Sequence, residues 1–202
     1  MKKILMLALF LLFLLLSFTS CSSNDKIIVG IDDYMPYDAI PGDYTLEAAK
    51  ADGAVVHEDG SITSGQAEWD EFVSRTESGT PCMIRLAFYY TLGDPSRYSP
   101  EHYEEIKDDY PQLYIQDLSF NGDVYTLYSV EDGQEYIYER KYLKRFDETK
   151  PPESAIFSAG VYYYIVNDNN ITYEEIVRSM FSSSDPSAFL DCKKVYSKLN
   201  YK

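Results

Sequence analysis

The sequence predicts a single-domain α+β fold, in which an antiparallel sheet of about four to six strands packs against helices mainly on one face. Three observations lead to this prediction. Helical patterns occur near both ends of the chain, β-hairpin signals follow one another through its middle, and strands do not alternate with helices as they do in parallel α/β sheets. A length of 202 residues suits one such domain with a tail.

The first half of the domain is predicted to contain two helices and a central strand. A short helix fits Tyr44–Ala51 and precedes a short strand at Ala54–Val56. A second helix fits Gln66 to about Ser78, and its core-facing residues recur at helical spacing: Trp69, Phe72, Val73 and Thr76. In Cys82–Leu92 the even-numbered positions are nearly all apolar and the odd-numbered ones are mixed. We therefore expect a central strand with one face packed and the other partly open.

The middle of the chain predicts a three-stranded antiparallel meander. Asn121-Gly122 separates Gln112–Phe120 from Asp123–Val130, and Asp132-Gly133 separates that strand from Gln134–Phe146. Both dipeptides supply the positive φ angles that two-residue hairpin turns require.

A further strand and two helices are predicted toward the C-terminus. The strand fits Ala155–Val166. Thr172 and Glu175 form the capping box of a helix that ends near Phe181, and Asp185-Pro186 favours the start of a last helix.

The N-terminus has the pattern of an export signal. Lys2 and Lys3 precede an unbroken apolar run from Ile4 to Leu16. A helix of that length reaches roughly 20 Å, short of the ~30 Å hydrocarbon core of a bilayer. We therefore interpret residues 1–20 as a signal peptide rather than a membrane span.

The signal ends in a possible lipidation site, Thr19-Ser20-Cys21. This stretch resembles the bacterial lipobox, whose cysteine is lipidated and becomes the mature N-terminus. The resemblance implies a lipoprotein that is anchored through Cys21 to the extracytoplasmic face of the cell membrane. Cleavage at an ordinary signal-peptidase site, which would release a secreted protein, is the alternative. Residues 21–43 then form a lipidated tether and lead-in segment with at most one edge strand, and residues 44–202 form the domain.

Part of the predicted arrangement resembles a known family. Leu46–Pro95 combines the stretch Gly53-Ala54-Val55-Val56, an aromatic helix, the strand Ile84-Arg85-Leu86 and the turn Gly93-Asp94-Pro95. These motifs are similar to Gly-Asp-Val-Val, Ile-Arg-Ile and Gly-Asp-Pro stretches in a family of small Gram-positive bacterial lipoproteins with a domain of unknown function. The resemblance implies a lipoprotein with an α+β fold, and it supplies no activity.

Composition and charge limit the classes of function. Asp and Glu number 33 against 18 Lys and Arg, which gives a net charge of −15. Because neutralising phosphates requires clustered Lys and Arg, we expect no nucleic-acid partner. An acidic protein is also not held to an anionic membrane by its own charges, so membrane attachment depends on the lipid.

Few residues are candidates for catalysis or metal binding. The chain has two histidines, His57 and His102, and no Gly-x-Ser-x-Gly motif or zinc-ligand spacing, so we interpret both as loop or solvated histidines. Adjacent acids lack calcium-loop spacing and indicate surface charge: Asp32-Asp33, Glu104-Glu105 and Asp108-Asp109. We therefore expect no cofactor and no enzymatic activity, with a small cell-envelope hydrolase as the alternative.

Arg85, Tyr89 and Thr91 are the predicted ligand-binding residues. Their odd numbering places them on one face of the central strand. A guanidinium beside an aromatic ring can hold an anionic or sugar-like ligand. The favoured interpretation is instead a structural pair between Arg85 and a carboxylate on a neighbouring strand.

The 20 tyrosines offer a second possible binding surface. A row of tyrosines on a sheet face could stack on envelope glycans, although strand propensity explains their number without a ligand. Many fall in predicted strands: Tyr114, Tyr125, Tyr128, Tyr136, Tyr138, Tyr162, Tyr163 and Tyr164. The sequence thus favours a binding or interaction module at the cell envelope, whose partner is an envelope protein or a glycan.

Two cysteines remain once Cys21 is lipidated. Cys82 shares its parity with the apolar face of the central strand, and Cys192 precedes Tyr196 at helical spacing on the predicted last helix. Export allows a disulfide between them, but free cysteine is a common small core residue. We expect two buried thiols.

Overall fold

The computed structural model describes residues 29–30, 32–181 and 190–202. The predicted signal peptide, the lipidation site Cys21 and the tether up to residue 28 lie outside the described residues, as does Asp185-Pro186. Within the described ranges, no helix has the length and apolar character needed to cross a membrane.

The described part of the chain confirms the α+β class. Its helices are α1 (Leu46–Ala51), α2 (Gln66–Glu77), α3 (Pro100–Ile106) and α4 (Tyr173–Phe181). Its strands are β1 (Val55–Glu58), β2 (Ser61–Ser64), β3 (Cys82–Tyr90), β4 (Gln112–Phe120), β5 (Tyr125–Glu131), β6 (Gln134–Arg140), β7 (Tyr142–Glu148), β8 (Phe157–Val166) and β9 (Cys192–Tyr201). Single turns of 3₁₀-helix occur at Tyr37–Ala39, Pro95–Arg97 and Lys107–Asp109.

The strands form two sheets rather than the single antiparallel sheet that the sequence predicts. Six strands are arranged in the order β2-β1-β3-β4-β5-β6, and three in the order β7-β8-β9. All pairs are antiparallel except β1 with β3, which are parallel because β2 and α2 carry the chain back between them. The predicted long strand Gln134–Phe146 is broken at Lys141, where the chain leaves the larger sheet and enters the smaller one.

The two faces of the six-stranded sheet have different neighbours. The helix face carries the even-numbered residues of β3 and packs against α2 and the small sheet; its buried residues include Trp69, Phe72, Ile84, Leu86, Leu118, Leu127, Ile165 and Val195. The lead-in face carries the odd-numbered residues, and α1 contributes Ala49 to a small cluster there with Val56 and Ala87. The helices therefore do not all lie on one face.

A separate cluster lies on the far side of the small sheet. There α4 packs through Ile176 against Tyr162 and Tyr164 of β8. The predicted capping box starts this helix: Thr172 Oγ1 accepts a hydrogen bond from the Glu175 amide at 3.2 Å, and Glu175 Oε2 accepts one from the Thr172 amide at 2.8 Å.

The two predicted hairpin turns differ. Asp132 and Gly133 have φ angles of 51° and 75° and form the expected two-residue turn between β5 and β6. Gly122 also has a positive φ of 104°, but β5 begins at Tyr125 rather than Asp123. The Asn121 side chain accepts hydrogen bonds from the amides of residues 123 and 124, at 3.0 and 2.9 Å, and this stabilises the longer loop.

The prediction of a helix through Cys192 and Tyr196 is wrong, because this segment is strand β9. It pairs with β8 from Phe157↔Tyr201 to Val166↔Cys192. The apolar residues suit a helix or a strand locally, and the free edge of β8 decides between them. Cys82 and Cys192 are free thiols that lie in different clusters, one in the main core and the other against α4, and burial raises the pKa of each.

Candidate functional site

The described part of the lead-in segment, residues 29–30 and 32–43, is an integral part of the fold. Val29 is 0% exposed in the main core, and its carbonyl accepts a hydrogen bond from the Met83 amide at 3.4 Å. Tyr34 is also buried, on the opposite, lead-in face of the sheet. The prediction that this face is partly open is therefore wrong around Arg85, because residues 34 and 35 cover it.

Arg85 anchors the lead-in segment to the sheet. Its side chain is 1% exposed, and Nε and Nη2 donate hydrogen bonds to the carboxylate of Asp117 at 2.8 and 3.0 Å. Asp117 lies directly opposite on β4. Nη2 also donates to the Met35 carbonyl at 2.9 Å, and the guanidinium lies 5.3 Å from the Tyr34 ring centroid. The structure thus has the cross-strand carboxylate pair that the sequence favoured, and the pair also secures the lead-in segment.

Tyr89 and Thr91 do not form an accessible binding site together with Arg85. Thr91 donates two hydrogen bonds, from its amide and its hydroxyl, to the Asp59 carboxylate, both at 2.8 Å. The Tyr89 carbonyl accepts a hydrogen bond from the Asp59 amide at 2.9 Å. These contacts fasten the end of β3 to the turn between β1 and β2.

The Tyr37 side chain separates β4 from β5 on the lead-in face, and we call it the wedge. Pairing between these strands ends at Gln116↔Ser129. Beyond that pair, the Tyr37 hydroxyl lies between the strands, where it donates to the Ile115 carbonyl at 2.8 Å and accepts from the Val130 amide at 3.1 Å. The hydroxyl therefore replaces the direct hydrogen bond that the strands would otherwise make.

The separation of the strands creates a groove of about 650 Å³. We call it the Tyr37 groove. Its lining residues are Tyr37, Ile40, Pro41, Gly42, Tyr44, Leu113, Tyr114, Ile115, Val130, Glu131 and Asp132. Its volume falls within the range of small-molecule binding sites.

The Tyr37 groove is acidic and its phenolic hydroxyls are already paired. Two acidic residues line it, Glu131 and Asp132, and among the residues that the structure describes no Lys, Arg or His does so. The Tyr44 hydroxyl donates to Asp52 at 2.8 Å, and that of Tyr114 donates to Gln112 at 2.6 Å. Burial raises the pKa of Tyr37 and of Tyr44, so both stay neutral at physiological pH. This lining favours a neutral or cationic ligand.

His57 is buried, and the interpretation of it as a loop or solvated histidine is wrong. It lies in β1, 1% exposed, with its ring stacked on Phe88 at a centroid distance of 4.9 Å. Nε2 accepts a hydrogen bond from the Ser197 amide at 3.2 Å. Nδ1 is buried and has no hydrogen-bond partner among the described residues. Burial lowers the pKa of His57 to about 3, so the ring is neutral and links β1 to β9.

The remaining polar candidates lie at the surface. His102 is exposed on α3, as the sequence predicts. The acid pairs Asp32-Asp33, Glu104-Glu105 and Asp108-Asp109 are exposed as well. Across the described ranges, no group of three or more His, Cys, Asp or Glu side chains could hold a metal ion.

Half of the eight predicted strand tyrosines pack in the interior, so the eight do not form one exposed row. Tyr125, Tyr162 and Tyr164 are buried. Tyr163 packs edge-to-face on Trp69 at 5.1 Å, within the main core. Of the eight predicted strand tyrosines only Tyr114, at 39% exposure, reaches the Tyr37 groove.

Most of the groove has no signal in the sequence. Tyr37 and Ile40 lie in a segment with no periodicity, and nothing local indicates which strands that segment will meet. The one available signal was the Asp132-Gly133 turn, which places Glu131 and Asp132 at an end of the sheet. The divergence of β4 from β5 becomes visible only in three dimensions.

Comparison of the chain with protein-family models, curated proteins and solved structures finds no match. The resemblance to Gram-positive lipoproteins remains a prediction.

Proposed function

We propose that the protein is a lipid-anchored, extracytoplasmic binding module whose ligand occupies the Tyr37 groove. The observation that carries this proposal is the wedge: the Tyr37 hydroxyl holds β4 and β5 apart by bonding to both, and thereby maintains a groove of about 650 Å³. The lining combines apolar residues, such as Ile40 and Leu113, with the acidic residues Glu131 and Asp132. Such a mixture of apolar walls and a few polar groups is typical of binding sites.

The geometry of the lead-in segment is compatible with anchoring through Cys21. Seven residues, 22–28, separate Cys21 from Val29 and span at most about 25 Å. Val29 contacts β3 at Met83, whereas the groove adjoins the other end of β3, where Leu113 pairs with Tyr89. The six residue steps from Met83 to Tyr89 correspond to roughly 20 Å of strand. The point where the tether joins the domain and the groove therefore lie toward opposite ends of β3.

Anchoring is tested by the fate of the mature protein. We expect the wild-type protein to enter the detergent phase of a Triton X-114 extraction, with the mass of a lipidated Cys21 N-terminus. Cys21→Ala should abolish the modification and the partitioning. An unmodified, water-soluble mature form of the wild-type chain would contradict the lipoprotein part of the proposal.

Binding at the groove is tested by NMR titration of the ¹⁵N-labelled soluble domain that follows Cys21. Two probe mixtures are added separately: a tryptic peptide mixture and a muramidase digest of Gram-positive cell wall. We expect at least one to shift amide resonances of Leu113–Ile115 and Glu131–Asp132 more than those of Asn121–Val124, at the opposite end of the same strands. Titrations with no shifts, or with shifts only outside the groove, would overturn the proposed binding site.

A further inference from the structure

Among the described strands, none pairs with the β5-facing edge of β4 inside the Tyr37 groove. Residues 112–115 pair with β3 from Tyr90↔Gln112 to Ala87↔Ile115, but pairing with β5 begins only at Gln116↔Ser129. Val130 and Glu131 of β5 pair only with β6. A stretch of β4 that is central in the sheet thus has an open edge at one end.

The open edge directs backbone groups into the groove. Alternate residues of an antiparallel strand point their amide and carbonyl groups to the same side. The Ile115 carbonyl points toward β5, because it accepts the hydrogen bond from Tyr37. Leu113, two residues away, must point its amide and carbonyl the same way, and it lines the groove. Open edges of this kind pair readily with an added strand.

The residues around the groove favour a positively charged segment as the added strand. Glu131 and Asp132 line one side. The lead-in segment on the other side adds two exposed acids, Asp38 and Asp43, which neighbour the lining residues Tyr37, Gly42 and Tyr44 in sequence. No basic residue of the described part of the chain lines the groove. Lys or Arg side chains of a bound segment would be attracted to these carboxylates.

We propose that the Tyr37 groove binds an extended, cationic peptide segment of a partner protein, which adds to β4 as a short strand at Leu113. This inference rests on the proposed function and specifies its ligand. The Tyr37 hydroxyl limits the added strand at Ile115, and the negative charge around the groove attracts its basic side chains.

A peptide fits the groove better than a glycan does. Sugar recognition relies on exposed aromatic faces and on free polar groups. The hydroxyls of Tyr37, Tyr44 and Tyr114 are already hydrogen-bonded, and among the three only Tyr114 is exposed. The open strand edge, in contrast, presents donors and acceptors at the spacing of a polypeptide backbone.

The test uses a defined peptide, acetyl-Val-Lys-Val-Lys-Val-Lys-amide, with calorimetry and hydrogen exchange on the domain. We expect binding together with slowed exchange of the Leu113 amide. Two N-methylated versions provide a matched comparison, one methylated at the valine amides and the other at the lysine amides. Since only one set can face β4, one version should lose about tenfold or more in affinity and the other should bind nearly as well. Equal behaviour of the two versions would overturn strand pairing.

Charge selection is tested on the protein. Glu131→Gln combined with Asp132→Asn should weaken the lysine peptide about tenfold at low salt, since it removes both lining carboxylates. Asn tolerates the positive φ of position 132, so the turn is preserved. Asp123→Asn with Glu139→Gln removes two exposed acids toward the other end of the strands and should change affinity less than about twofold. Equal losses in the two double variants would overturn the role given to the lining carboxylates.

A glycan probe separates failure of this inference from failure of the proposed function. If the peptide does not bind while chitohexaose shifts the resonances of Leu113–Ile115, the peptide inference is overturned and the binding groove stands. If the peptide, chitohexaose and the two mixtures all leave those resonances unchanged, the peptide inference and the proposed function are both overturned.

Discussion

The helix face and the lead-in face of the six-stranded sheet are stabilised in different ways. On the helix face, α2 and the small sheet bury apolar side chains such as Trp69, Phe72 and Ile84 in a continuous core. On the lead-in face, an aperiodic segment is held by directional bonds, chiefly those of Arg85 and of the Tyr37 hydroxyl. Apolar side chains can fill the available space because their packing has no directional requirement. A few directional hydrogen bonds do not fill space, so a gap remains where β4 and β5 diverge.

This difference in stabilisation accounts for the position of the Tyr37 groove on the lead-in face. Close packing on the helix face leaves little room for a ligand. On the lead-in face, the bonds from Arg85 to Met35 and from Tyr37 to both strands secure the segment at two places, and the groove lies beside the second. The predictions below test whether the two faces respond differently to substitution.

The largest effect is expected on the helix face. Trp69→Ala should lower the free energy of unfolding by about 4 kcal/mol, because it removes a 1% exposed indole and leaves a cavity. Urea denaturation measures the change. Ala67→Ser, on the exposed side of the same helix, should change the value by less than about 0.5 kcal/mol. A loss below about 1 kcal/mol for Trp69→Ala would mean that the helix face is not the main core.

A slightly smaller loss is expected on the lead-in face. Arg85→Met should cost about 3 kcal/mol, since it leaves the Asp117 carboxylate without its partner at a largely buried position. Arg85→Met combined with Asp117→Leu should recover most of that loss, because no unpaired charge remains.

The matched control for Arg85 is Arg145, whose ion pair with Asp147 is about half exposed. Arg145→Met should cost less than about 1 kcal/mol by the same urea measurement. The double variant Arg85→Met with Asp117→Leu should be more stable than Arg85→Met alone. Equal stability of the two would show that the unpaired Asp117 charge does not cause the loss.

His57 should make the helix face sensitive to pH. Its pKa is about 3 in the folded state against 6.5 for an ordinary histidine. Because the unfolded chain binds a proton more readily, stability is complete above about pH 6.5 and is lost as the pH falls toward 3. Between pH 7.5 and 5 the loss should reach roughly 2 kcal/mol.

The variant His57→Gln tests the assignment. It should be less stable at pH 7.5 but should lose less stability on acidification to pH 5, a range above the ordinary pKa values of Asp and Glu. Equal pH dependence in the two proteins would show that another group is responsible.

The smallest effect is expected at the wedge. Tyr37→Phe removes the hydroxyl that bonds to Ile115 and Val130 while it keeps the ring, and it should cost about 1 kcal/mol. Hydrogen exchange at the Val130 amide should accelerate at the same time. Tyr114→Phe removes a hydroxyl whose bond to Gln112 is exposed, and it should leave Val130 exchange unchanged. Unaltered Val130 exchange in Tyr37→Phe would contradict the wedge.

Elements with strong local signals were predicted with the right type and nearly the right bounds. Helix α2 was expected from Gln66 to about Ser78 and ends at Glu77, and the capping box of α4 has the expected hydrogen bonds. These features depend on residues within a few positions of one another, so the sequence contains the information directly. Strand β2 was missed because Ile62 is its one apolar residue, and β9 was predicted as a helix because its apolar residues suit either structure locally.

The residues of the candidate site also divide into those that a local sequence pattern indicated and those that it did not. Arg85 was singled out from its position on the central strand, and the sequence predicted a carboxylate partner without identifying Asp117. His57 was interpreted as exposed because only its burial beneath β9, through Ser197, distinguishes it from a loop histidine. The walls of the Tyr37 groove come from segments far apart in the chain, so no local pattern joins them.

The sequence by itself determined the α+β class, the helices with clear periodicity and the strand meander, because each depends on short-range spacing of apolar, capping and turn residues. Only the tertiary structure decided how the strands divide between two sheets, which face the lead-in segment covers and where β4 and β5 separate. Those outcomes depend on contacts such as Tyr37 with Ile115 and Arg85 with Met35. Contacts of this range form only when the whole chain is folded, because their partners are 78 and 50 residues apart.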